Sequence, residues 1–91
     1  MTTRVEQIRG RLESALSPTH LEIVDDSQAH AGHAGASQHG GGHFSVFIVS
    51  SAFEGKSPVQ RHQLVYQALG EMLRADIHAL AIKALLPSEH S

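Results

Sequence analysis

The residue pattern predicts a small α/β (α+β) domain, a three-stranded mixed sheet with its helices on one face and the element order α-β-β-α-β. Three observations predict it. Two segments carry apolar residues at helical spacing, and three short segments carry them at strand spacing. The second helical segment lies between the last two strands, which requires a parallel pair and a right-handed crossover.

Val5, Ile8, Leu12, Ala15 and Leu16 form one stripe, with Arg4, Glu6, Arg9, Arg11 and Glu13 mostly on the other side, as in an amphipathic helix. Thr3 and Glu6 have capping-box spacing at its start, and Ser17-Pro18 stops it because a residue before proline avoids the helical region. Gly10 costs this helix roughly 1 kcal/mol relative to alanine. From His20 to Asp25, Leu21 and Ile23 alternate with polar residues, the pattern of an edge strand. From His43 to Ser50, Phe44, Val46 and Ile48 oppose Phe47 and Val49, so a strand apolar on both faces belongs in the centre. Ser57-Pro58 starts the second helix, whose stripe Leu64, Val65, Ala68, Leu69, Met72 and Leu73 runs to about Arg74. The last strand, His78 to Ala84, sets Leu80 and Ile82 against Ala79 and Ala81, small residues that suit a covered face. His78 shares the parity of Leu80 and Ile82.

A chain of 91 residues has room for one core, so residues 1–91 are expected to form a single domain without the deep cleft that two subdomains make. No cysteine is present, which removes disulfides, thiol nucleophiles and thiolate metal ligands. The charged N-terminus lacks the apolar run of a secretory signal, and the longest apolar stretch, around Ala79 to Leu86, is too short to span a bilayer. The expected address is the cytoplasm, with no membrane partner and a monomeric free protein. A net charge of −2 is not the footprint of a chain that grips phosphates unspecifically, although protonation of all eight histidines would bring it to +6.

Between the first two strands lies the segment 27–42, rich in glycine and histidine and longer than structureless loops usually are, so it is expected to be flexible and functional. It carries His30, His33 and His39, with His43 just beyond. Scattered imidazoles among glycines are not a preformed metal site, and a solvated, adaptable loop accounts for each of them singly. A metal buffer using this loop alone is a third, weaker reading of function. There is no His-Glu-x-x-His stretch and no nucleophile elbow, and Gly40-Gly41-Gly42 lacks the lysine of a phosphate-binding loop. Asp25 and Asp26 fall on opposite faces of an extended strand, which is not an acid/base pair. The chain is expected not to be an enzyme.

The ordered set Phe53-Glu54-Gly55-Lys56-Ser57, Arg61-His62, Val65-Tyr66 and Ile77-His78-Ala79-Leu80 resembles the BolA family. The resemblance extends to Leu21-Glu22-Ile23-Val24 and His43-Phe44, and the long central segment is similar to that of the long-loop members. It implies a fold similar to the class II KH domain, in agreement with the element order. It also implies a heterodimer with a monothiol glutaredoxin that shares a [2Fe-2S] cluster. The glutaredoxin cysteine and glutathione supply sulfur there, and the BolA-like chain supplies nitrogen. On that pattern the histidine opening the last strand is His78. The loop ligand, in the pattern acidic-Ser-x-x-His, is His30 in Asp26-Ser27-Gln28-Ala29-His30, with His33 as alternative. Composition agrees, since a chain without thiolates holds such a cluster only in a shared site.

The resemblance equally implies a second reading, a DNA-binding transcriptional regulator of the stress and morphology type. It would use the KH-like surface, with Lys56, Arg61 and His62 as candidate nucleic-acid contacts. An ordinary solvated helix start is the plain alternative for these three. The acidic net charge weighs against DNA without excluding a local basic patch.

Overall fold

The computed structural model describes residues 3–26, 42–75 and 77–90, and for His78 the backbone. Helix α1 spans Arg4–Leu16, strand β1 His20–Asp25, strand β2 Gly42–Val49, helix α2 Pro58–Leu69, a short helix α3 Met72–Ala75 and strand β3 Ile77–Leu85. Single 3₁₀ turns at Ser51–Phe53 and Pro87–Glu89 follow β2 and β3. The sheet order is β1-β2-β3, with β1 antiparallel and β3 parallel to the central β2. The predicted class, element order and edge and centre strands are those of the structure.

Local chemistry explains the boundaries. The Thr3 side chain accepts from the Glu6 N–H at 3.1 Å, and Ser17 ends α1 in the left-handed region with φ 45°. At α2 the capping box is complete: Gln60 N donates to Ser57 Oγ at 3.2 Å, and Ser57 N to Gln60 Oε1 at 2.9 Å, with Pro58 next. Ile8, Leu12 and Leu16 face Val65 and Leu69 of α2 and Phe44, Val46 and Ile48 of β2, and Phe53, Met72 and Ile77 complete the core. All of it lies between the helices and one face of the sheet.

Four expectations change. The second helix does not run on to Arg74, because Gly70 adopts φ 55°, ψ −125°, a conformation that breaks the helix before α3. Ala79 and Ala81 are not covered: with every helix on the other face, they lie exposed on the open side of β3. Ala15 also lies outside the buried stripe of α1. The strand bounds move by a residue, so that Gly42 opens β2 and Ile77 opens β3.

Candidate functional site

The parallel ladder between β2 and β3 is irregular at one place. Gly42 is opposite Ile77, and His43 is opposite Ala79, so His78 is the extra residue of a bulge and has no partner in the register. Strand alternation therefore does not carry across this point. Ile77 is buried in the core and so, in part, is Leu80, three residues later. The parity assigned to His78 from the sequence concerns a side chain that lies outside the described residues. Bulges recur beside functional sites because they re-aim one residue without disturbing the rest of the strand.

Three chain segments meet at this end of the sheet. The Asp26 N–H donates to the His43 carbonyl at 2.7 Å, extending the β1–β2 ladder by one bond. Ser45 Oγ donates to Asp26 Oδ2 at 2.5 Å, so the second aspartate of the pair is held on the sheet. A depression of about 250 Å³ lies here, with Asp26, His43, Ser45, Ala79 and Leu80 in its lining. His43 is half-buried. Both stems of the segment 27–41 are thus fixed at this end of the sheet, Asp26 by its bonds to His43 and Ser45 and Gly42 within β2. His30 and His33 themselves lie outside the described residues. His43 and Asp26 were not among the sequence-derived site residues; in the sequence they stand out only as the residues that flank the segment 27–42.

The second candidate surface is arranged differently. Arg61 Nε donates to the Lys56 carbonyl at 3.1 Å, Nη1 to the Ala84 carbonyl at 3.1 Å and to Glu89 Oε1 at 2.8 Å, and Nη2 to Glu89 Oε2 at 3.3 Å. Its side chain is only 13% exposed. These contacts hold the carboxylate of Glu89 below the ordinary glutamate range, through the Arg61 hydrogen bond first and the Leu86 N–H next. Arg61 ties α2 to the end of β3 and the final turn. Lys56 is exposed and His62 half-buried beside it. Arg9 and Arg11 likewise donate to carbonyls, of Leu21 and Leu69. Three of the seven lysines and arginines are therefore engaged with backbone, and Lys56, Arg74 and Lys83 lie on separate elements.

Among the described residues no three His, Asp or Glu side chains are grouped to hold a metal ion, and no helix is long and apolar enough to cross a membrane.

Comparison with known proteins fits this architecture. The BolA-like protein family matches residues 12–89. "BolA-like protein 1" of Mus musculus is 51% identical over 82 residues, covering 90% of this chain and 57% of that protein. "SufE-like protein 1, chloroplastic/mitochondrial" of Arabidopsis thaliana is 46% identical over 96% of this chain and only 24% of its own length. The chain thus spans little more than half of one of these relatives and a quarter of the other. The "DNA-binding transcriptional regulator BolA" of Escherichia coli (strain K12) is 39% identical, over 85% of this chain and 70% of that protein. The solved structure of BolA1 from Arabidopsis thaliana superposes with a TM-score of 0.86 at 42% identity, covering 100% of this chain and 99% of that one. The three-stranded mixed sheet, the helices on one face of it and the matched sequence together place the chain in the BolA-like family.

Proposed function

We propose that this BolA-like domain is the non-enzymatic partner of a monothiol glutaredoxin, sharing with it a glutathione-ligated [2Fe-2S] cluster for iron-sulfur trafficking or iron and redox regulation. The observation that carries the reading is the bulge. It sets His78 out of register at the end of the sheet where both stems of the histidine-bearing segment are anchored. The donor chemistry fits: no thiolate is available, and imidazole nitrogen is an accepted iron ligand in place of cysteine. In this proposal His78 is the principal ligand, His30 the second, and His33 the substitute for His30. When bound, the cluster supplies iron and sulfide for transfer or a redox signal. The chain's own part is to present neutral nitrogen donors from a rigid strand and from a tethered segment. Protonation of those imidazoles competes with iron, so the complex weakens as pH falls. The cytoplasmic address belongs to the same proposal, although the plant relative carries an organellar address in its name.

The test is anaerobic mixing of each variant with a cluster-loaded monothiol glutaredoxin and glutathione, followed by visible circular dichroism. His78→Ala is expected to abolish the mixed-cluster spectrum and to leave the free protein folded. His30→Ala is expected to weaken the complex, and His30→Ala with His33→Ala to match the His78 defect. An unaltered spectrum from folded His78→Ala refutes the ligand assignment.

The name of the Escherichia coli relative favours one second reading, DNA-binding transcriptional regulation. Here Lys56, Arg61 and His62 are the candidate contacts, with the guanidinium of Arg61 already bonded to the Lys56 and Ala84 carbonyls and to Glu89. Binding on this reading is weak at neutral pH and strongly salt-dependent, because few cations are free to meet phosphates. Sequence-selective binding that Lys56→Glu removes would support it.

A further inference from the structure

The face of the sheet turned away from the helices carries a self-complementary charge pattern. The strand register sets Glu22, Phe47 and Lys83 in one row across β1, β2 and β3, and Val24, Ser45 and Ala81 in the next. Lys83 Nζ lies 5.5 Å from the centre of the Phe47 ring, and Glu22 Oε2 is 2.5 Å from His20 Nε2. Beyond the first row the final turn folds back, with the His90 ring 5.2 Å from that of Phe47, and Val49, two residues further along β2, is 1% exposed. Nothing of the described chain covers the second row in the same way. Val24 is 51% exposed, and the small Ser45 and Ala81 leave a shallow trough of about 240 Å³ beside Phe47.

We propose that this face packs against the same face of a second copy of the chain. A two-fold axis parallel to β2 lays β1 of one copy over β3 of the other, as in an isologous interface. Glu22 then meets the partner's Lys83, and Lys83 meets the partner's Glu22. Phe47 meets the partner's Phe47 at the axis, and Val24 lies over the partner's Ala81, whose small side chain leaves room for it. Sheets packed in this way lie about 10 Å apart with their strands within about 30° of each other. A neutral apolar occupant would match the trough alone; a second copy also sets Glu22 and Lys83 each against its opposite charge, beyond their contacts with His20 and Phe47 within the chain.

Three strands about 4.8 Å apart and two or three rows about 7 Å apart cover roughly 200–300 Å² per copy. A standard stable complex buries about 800 Å² per partner. Association is therefore weak and reversible, and the dilute protein is a monomer, as the sequence leads one to expect. The inference does not rest on the glutaredoxin reading, since its test uses the free protein alone, but the two surfaces adjoin: Ser45 and Ala81 line both this trough and the depression at the His78 end of the sheet.

Sedimentation velocity and amide NMR shifts over a concentration series test it, with Glu22→Lys and Lys83→Glu, both at exposed positions. The wild type is expected to associate as concentration rises, with shifts centred on Val24, Phe47 and Ala81. Each variant alone pairs like charges twice and is expected to associate about tenfold or more weakly. An equimolar mixture of the two is expected to recover association, because one copy then carries two cations and the other two anions at the paired positions. A wild type that stays monomeric throughout overturns the proposal, as do variants that associate like the wild type, or shifts that map to the helical face. Val24→Asp keeps the test decisive if a charge variant fails to fold: lost association supports the interface and retained association refutes it.

Discussion

Ser50 is completely buried, and both of its roles are visible. Its hydroxyl donates to the Leu16 carbonyl at 2.5 Å and accepts from the Ala52 N–H at 3.0 Å, joining the end of α1 to the turn after β2. The last carbonyls of a helix have no partner within it, so this bond satisfies a group that would otherwise be stranded in the core. Ser50→Ala removes the donor and leaves that carbonyl buried without it. We expect a loss of about 1–3 kcal/mol, read as a lower urea midpoint with an unchanged slope. In the sequence Ser50 is only a polar residue ending a strand. Its partner lies 34 positions away, which no local pattern reveals. Arg61 teaches the same lesson in reverse, since it reads as a solvated cation and is engaged by three segments of the chain.

At the level of elements, two glycines separate propensity from conformation. Gly10 is exposed in the middle of α1, and a Cβ built there meets nothing within 4 Å. Gly10→Ala is expected to stabilise the protein by about 0.5–1 kcal/mol, because alanine has less backbone freedom to lose on folding. Gly70 ends α2 with φ 55°, and Arg11 Nη1 lies 3.5 Å from a Cβ built there, an ordinary contact. Space is available, but the backbone conformation is one that side chains disfavour. Gly70→Ala is expected to destabilise by about 1–3 kcal/mol. The same substitution thus takes opposite signs at the two sites, and thermal or urea melts of the pair would show it. Equal signs would mean that the break at Gly70 does not depend on its conformation. The sequence marks both glycines, and the helical period simply runs through the second, which is why α2 is read four or five residues too long.

For the molecule as a whole, the Arg61–Glu89 clasp closes the chain end onto the helix that crosses between the parallel strands. The folded-state pKa of Glu89 is lowered, chiefly by the Arg61 hydrogen bond. The clasp therefore contributes fully above the ordinary glutamate value of 4.5 and is lost as pH falls through the lowered folded value. The wild type is expected to be more stable than Glu89→Gln at neutral pH, with the difference vanishing in acid. Stability curves of the two proteins against pH check this, and parallel curves would show that the clasp carries no proton-linked stability. Because Glu89 is exposed, salt should shrink the same difference.

The sequence by itself determined the fold class, the order of the elements and the central place of β2, because periodicity reports which side of a segment must be buried. It also singled out His78 as the histidine to follow, and it excluded thiolate chemistry outright. Tertiary structure alone decided that His78 stands in a bulge, that Asp26 and His43 gather at the same end of the sheet, and that Arg61 is bound to the end of the chain. It also decided that Ala79 and Ala81 face outward. Each of these depends on register between segments distant in the chain or on which face of the sheet the helices occupy. Periodicity along one segment carries no information about either.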